Sequence, residues 1–307
     1  MTGLHEAVAD YLTIRRALGF KLVEHQRLLG DFATFLEQAG ASTITTELAV
    51  AWAIRSDGTE SWKAARLSVI RGFAGYMRTI DPGTEIPPTG ILTARKHYAI
   101  PYLYSQQEIG RLLAEAAALG PPLRAATYHT LLGLLVVSGM RIGEALRLDR
   151  DDVDLDAGVL TIRLTKFNKS RQLPVHPSTT AALARYDRQR DELCPQPNAP
   201  SFFVSTRFNR LDKSGAQYVF RVLRRRAGIE RPRGSPQPRL HDIRHAFAVQ
   251  TLLDWHRSGV DVQARMLWLS TYLGHVEPSD TYRYLTAAPE LLALAAERLQ
   301  TTLGHLP

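Results

Sequence analysis

The chain reads as a mainly α-helical protein with one small β-sheet, divided into an N-terminal helical bundle and a larger α+β domain. Three observations point there. Apolar residues recur at helical spacing through residues 4–80, and a Pro/Gly-rich stretch then breaks all periodicity. One run, Leu160, Ile162 and Leu164 alternating with Thr161, Arg163 and Thr165, has the period-two pattern of a half-buried strand. With 307 residues the chain is long enough for two hydrophobic cores.

Taken in order, Leu4, Ala7, Val8, Tyr11 and Leu12 share one helical face, and Leu28, Leu29, Phe32, Phe35 and Leu36 share another. A shorter helix spans Thr46 to Ile54. A fourth runs from about Glu60 to Met77 with Trp62, Ala65, Ile70, Phe73 and Met77 on its apolar side. Asp81-Pro82-Gly83 stops it, and Pro87-Pro88-Thr89-Gly90 continues as non-helical chain, so the first domain is assigned to 1–80 and a linker to 81–101. Ser105 followed by Glu108 is a capping box that opens the second domain, 102–307. There the strand ending near Thr165 turns through Phe167-Asn168-Lys169-Ser170 and returns over Gln172 to Val175. The Pro/Gly/Arg-rich stretch from about 227 to 239 is a loop, and Leu292, Ala295, Ala296 and Leu299 give a short amphipathic tail helix over 289–303.

Composition narrows the partner. The net charge is +8 and the pI near 9.7, which favours a polyanion. Residues 1–100 hold 11 Lys+Arg against 10 Asp+Glu, whereas the remainder holds 27 against 20, so the positive field belongs to the second domain. No stretch approaches the roughly 20 apolar residues of a membrane span. The early residues lack the basic-then-apolar pattern of a secretion signal, and the lone Cys194 has no partner for a disulfide or a thiolate metal site. A reducing cytoplasm is the expected compartment.

Five pieces of the second domain carry chemistry. Ser138-Gly139-Met140-Arg141-Ile142-Gly143-Glu144 places Arg141 at a helix start, where backbone N–H groups already favour an anion and a guanidinium adds a planar fork. Glu144, one turn on, can brace it, and a plain salt bridge at a helix start is the alternative. Lys166 ends the alternating strand at a hairpin tip, where an isolated lysine is more often a solvated charge. His241 and Arg244 stand three apart in Leu240-His241-Asp242-Ile243-Arg244-His245, so a helix gives them one face and one phosphate to reach. His275 follows Gly274 at a helix end. Tyr284 lies nine residues beyond His275, with Tyr282 as its near neighbour. Arg221, Arg224, Arg225 and Arg226 form a basic run after Tyr218 and Phe220.

In order and spacing these pieces resemble the tyrosine recombinase (phage integrase) family, and the resemblance covers nearly the whole chain. It implies that the first domain is the family's helical core-binding domain, clamping DNA against the catalytic domain. It further implies a site-specific recombinase that cleaves and rejoins DNA through a 3′-phosphotyrosyl intermediate without metal, ATP or other cofactor. Tyr284 would be the nucleophile, Arg141 and Arg244 the phosphate grip, Lys166 the general acid, His241 a proton-transfer group and His275 a phosphate ligand. The family's lysine run usually carries glycines; here it is Thr165-Lys166-Phe167-Asn168-Lys169, which keeps Lys169 open as the alternative. DNA contacts are expected from Lys63, Arg66, Arg95, Lys96, Lys169, Arg221, Arg224 and Arg225. The partner is double-stranded DNA at a specific site, acted on by a homo-tetramer and possible accessory DNA-binding proteins, in the nucleoid. Two other readings are a DNA-binding accessory factor without catalysis, whose mark would be a missing arginine or tyrosine where none is missing, and a relaxing topoisomerase of the same chemistry.

Overall fold

The computed structural model describes residues 3–92, 101–163, 170–231, 237–275, 279–282 and 284. They fall into two compact units, the first from the N-terminal residues up to 92 and the second from residue 101 onward. No helix among the described residues is long and apolar enough to cross a membrane.

The first unit is four helices: α1 (Leu4–Ala17), α2 (Val23–Gln38), α3 (Thr46–Ile54) and α4 (Glu60–Met77). Thr45 and Thr59 cap the last two by accepting from the backbone N–H groups of Leu48 and Trp62. Leu29, Phe32, Leu36, Trp52, Ile70 and Phe73 fill the core, with Phe32 meeting Trp52 edge to face. Trp62 is half-buried, but Ala65 is exposed and Arg66 takes the core-facing place beside it. Along α4 the buried set runs Arg66, Leu67, Ile70, Phe73, Ala74, Met77. The Arg66 guanidinium lies 3.8 Å from the Trp52 ring centre, donates to the Trp52 carbonyl at 3.0 Å and pairs with Asp31 at 3.6 Å.

Residues 81–92, assigned above to a linker, are anchored to this bundle. Thr84 is buried, Glu85 N–H donates to the Ile44 carbonyl, and Arg71 holds the carbonyls of Pro87 and Pro88 at 2.7 and 2.9 Å. Prolines stop helices without stopping packing, and arginine satisfies the carbonyls that no regular structure pairs.

The second unit is built on α6 (Pro122–Ser138), which packs against α5 (Gln106–Ala117), α8 (Pro177–Leu193) and α10 (Asp242–Arg257). Ser105 and Glu108 form the expected capping box at the start of α5. A one-turn helix α7 (Ile142–Ala145) precedes an antiparallel sheet β1–β2–β3 (Val153–Asp154, Val159–Ile162, Arg171–Pro174). Leu160 pairs with Leu173 and Ile162 with Arg171, so Arg171 shares the inward face of Leu173. Strand β1 was not expected, being two residues long, too short for an alternation to show. The helices α9 (Lys213–Arg226), α11 (Val262–Leu273) and α12 (Ser279–Tyr282) complete the unit. A separate apolar cluster from α10 and α11, including Leu252, Met266, Leu269 and Leu273, also takes in Tyr284.

Arg66 is thus a core residue of the first unit. Arg66→Ala removes a charged hydrogen bond and a cation–π contact, and is expected to destabilise that unit by about 2–4 kcal/mol. Urea denaturation followed by circular dichroism reads this; full stability with weakened DNA binding would return Arg66 to the DNA surface.

Candidate active site

The C-terminal end of α11 is where the site assembles. The last carbonyls of a helix have no intrahelical partners and carry the negative end of its dipole. Three guanidiniums from three separate elements use them. Arg141, the residue before α7, donates to the Gly274 carbonyl at 3.1 Å; Arg244, in the first turn of α10, donates to Leu273 at 2.7 Å. Arg171, opening β3, donates to Tyr272 at 3.2 Å and Leu273 at 3.3 Å. Arg244 also donates to the Gly139 carbonyl at 2.9 Å, at the break between α6 and α7.

One buried carboxylate balances this cluster. Glu144, 3% exposed, accepts from Arg141 at 3.0 Å and from both terminal nitrogens of Arg171 at 3.2 and 2.9 Å, and takes the Arg141 backbone N–H at 3.0 Å. Burial pushes its carboxyl up, but Arg171 and then Arg141 override that and hold it below the ordinary 4.5. Arg244, also 3% exposed, is pushed down to about 10, first by burial and then by Arg141, with Tyr284 and Glu144 opposing. It stays a cation at neutral pH. Arg171 was not expected here. An arginine at an inward strand position, two residues before Leu173, is the signal that could have found it, since an inward charge requires a partner.

Two glycines permit the close approach. Gly139 sits at φ +57°, where an added Cβ would stand 2.3 Å from Phe247; Gly274, at φ +70°, would meet the Arg171 guanidinium at 2.5 Å.

His275 leaves α11 directly after Gly274, and its Nδ1 lies 2.7 Å from the Thr281 hydroxyl. Its ring stacks on Tyr284 at 6.0 Å between centres, 28° between planes. Tyr284 is 5% exposed whereas Tyr282 is 45% exposed; Tyr282 ends α12, and the turn closed by the Tyr284 N–H on the Thr281 carbonyl carries Tyr284 inward. His241, just before α10, keeps an outer edge open to solvent. Its inner side is desolvated, and burial, His245 and Arg244 together push it down to about 4. The site therefore brings Arg141, Arg244, His241, His275 and Tyr284 together. Lys166, Lys169, Arg95, Lys96 and the tail 289–303 lie outside the described residues.

The remaining basic residues divide. Arg221 and Arg225 are exposed on α9, and Arg221 lines a recess of about 410 Å³ with Lys213, Gln217, Arg239 and His241. Arg224 is not a surface cation: it is buried and donates to the Pro238 carbonyl at 3.4 Å, tying α9 to the segment that leads into His241. Lys63 is paired with Glu60 at 2.8 Å and is mostly covered.

Glu144→Gln leaves three guanidiniums without their carboxylate and is expected to cost about 3 kcal/mol of stability. Glu144 has its folded pKa below the unfolded one, so its contribution is complete above pH 4.5 and is lost as pH falls through the folded value. Urea midpoints between pH 7 and pH 3 should therefore fall less steeply in the variant; parallel slopes would mean the carboxylate is not the balancing charge.

Comparison with known proteins gives the family and the fold. The Phage integrase family model matches residues 103–290. The "Putative integrase/recombinase y4rB" of Sinorhizobium fredii is 48% identical over 98% of both chains. The "Tyrosine recombinase XerC" of Actinobacillus pleuropneumoniae is 30% identical over 79% of this chain and 78% of its own. Among solved structures, the Tn1549 transposon integrase in complex with transposon right end DNA superposes with a TM-score of 0.67 at 15% identity, over 97% of this chain and 99% of that one. With its arginines, histidines and buried tyrosine gathered at one helix end, and its sequence matched over nearly its whole length, this chain belongs to the phage integrase family of tyrosine recombinases.

Proposed function

We propose that the protein is a site-specific DNA recombinase that cleaves and rejoins strands through a 3′-phosphotyrosyl intermediate. The observation that carries this is the position of Tyr284, buried against His275 and within electrostatic reach of Arg244. In this reading the Tyr284 oxygen bonds to the scissile phosphorus as the bond to the 5′-oxygen breaks. Arg141 and Arg244 neutralise the charge that develops on the pentacoordinate phosphorus, already fixed by the α11 carbonyls before DNA arrives. Lys166 gives the leaving 5′-oxygen its proton, His241 assists removal of the phenolic proton, and His275 holds a phosphate oxygen. Attack by the 5′-hydroxyl of another strand on the phosphotyrosine then restores the tyrosine and rejoins DNA. Bond energy is conserved in the intermediate, so neither ATP nor a metal takes part.

Exposed Arg221 and Arg225, with Lys213 and Arg239 beside His241, supply the cationic surface for the duplex backbone. Four copies act together on two DNA segments, as expected of the family, and the first unit also binds the duplex.

A nicked suicide duplex made from DNA flanking the gene tests the chemistry. Wild type and Tyr282→Phe should form a covalent protein–DNA adduct, in EDTA as well as without it, and Tyr284→Phe should bind without forming one. An adduct mapped to Tyr282 would overturn the assignment; plasmid relaxation without exchange between two sites would make the enzyme a topoisomerase.

Lys166→Ala should lower cleavage on the order of 10²–10⁴-fold, and a 5′-bridging phosphorothiolate, whose leaving group needs no proton, should restore it. Selective rescue of Lys169→Ala instead would transfer the role.

A further inference from the structure

His245 has no part in the mechanism just described, yet it lies between two groups that do. Its ring meets His241 edge to face at 4.8 Å between centres and 84° between planes, and meets Tyr284 at 5.5 Å and 58°. Its Nδ1 is closed off from solvent and has no hydrogen-bond partner among the described residues. A buried ring nitrogen left unpaired is costly and calls for an explanation, of which a catalytic role is one. Helix geometry explains the arrangement. His241 and His245 are four apart at the start of α10, so their rings meet on one face, while Tyr284 returns over that face after α12.

The groups around the ring are defined. Asp242, Arg239 and Arg244 approach from its own helix and the residues before it; Tyr284, with His275 behind it, approaches from the far side. Burial pushes the imidazole below its usual value, with Asp242 opposing, so His245 is neutral and able to accept a proton at pH 7. A phosphate seated against Arg141 and Arg244 adds negative charge nearby, which raises the ring's proton affinity when the phenol must lose its own.

We propose that His245 takes the phenolic proton of Tyr284 and hands it to His241, whose outer edge is open to solvent. The Tyr284 O–H bond breaks as its oxygen bonds to phosphorus; the proton moves to His245, then to His241 and water. The 5′-oxygen leaves separately, with the proton of the general acid. The two histidines divide one task, and His245 is the member in contact with the nucleophile. This inference rests on the phosphotyrosyl reading above.

The test compares wild type, His245→Phe and His245→Ala on the nicked suicide duplex from pH 6 to pH 10, with ordinary and 5′-bridging phosphorothiolate substrates. Phenylalanine keeps the ring contacts and removes the nitrogens. His245→Phe should bind DNA normally yet form adduct about 10²-fold more slowly at pH 7, the low end for a lost proton-transfer group. The deficit should persist on the phosphorothiolate and should shrink as pH approaches about 10, where the phenol ionises unaided. Full activity of His245→Phe beside a defective His245→Ala would reduce His245 to packing. A deficit constant with pH, or one cured by the phosphorothiolate, would equally overturn the proposal. Absence of any adduct from wild type would instead sink the phosphotyrosyl reading and this inference with it.

Discussion

The structure of the second unit turns on holding three guanidiniums in one place before any DNA is present. Two unit charges about 6 Å apart at an effective dielectric of about 20 repel by about 3 kcal/mol. Arg141, Arg171 and Arg244 would spread apart unless something opposed them. The carbonyls of Tyr272, Leu273 and Gly274, left without helical partners at the end of α11, do so, together with the single carboxylate of Glu144. The balance is incomplete, with three positive charges against one negative charge and a partial helix dipole. What remains is a site biased towards an anion, with its donors already aimed. Preorganisation of this kind avoids reorienting dipoles during the reaction.

The same helix end fixes the rest of the site. Because Gly274 turns the chain in the left-handed region, His275 emerges next to the arginines rather than along the helix axis. Its Nδ1 contact with Thr281 ties it to α12, and Tyr284 follows within the apolar cluster of α10 and α11. Burial of Tyr284 therefore restrains the phenol, which has few rotamers in such packing. Gly139 does the corresponding work at the other end: Phe247 lies against it, so α10 approaches the α6–α7 break closely enough for Arg244 to hold the Gly139 carbonyl.

Not every arginine in a basic chain serves its polyanion. Arg66 and Arg224 both sit on inward faces, the first over Trp52 and the second against the Pro238 carbonyl. Arginine tolerates this because its planar head is weakly hydrated and can satisfy carbonyls or stack on a ring while its stem packs as an apolar chain. The surface inventory that faces outward is smaller than the count suggests, and within the arginine run of α9 it leaves out Arg224.

The sequence by itself determined the element order and most boundaries. Helical periodicity, the Ser105–Glu108 box and the Gly139 and Gly274 breaks are local, and local physics decided them. It also offered the residues proposed to carry chemistry: His241 and Arg244, three apart, fall on one helical face, while the nine-residue step from His275 to Tyr284 was legible only through the family resemblance. Ala65 and Arg66 mark where local pattern fails: polarity alone assigns the alanine inward, whereas Trp52 and Asp31, distant in sequence, make the inward place better for the arginine. Arg171 shows the same limit. Nothing near it in sequence names Glu144 as its partner, and only the approach of β3 to α7 brings the two within 3 Å. Residues 81–92 join the bundle for a like reason, since Arg71 reaches their carbonyls from a helix that ended earlier. Tertiary structure decided these cases because the cost of a buried charge depends on what surrounds it, and what surrounds it comes from elsewhere in the chain.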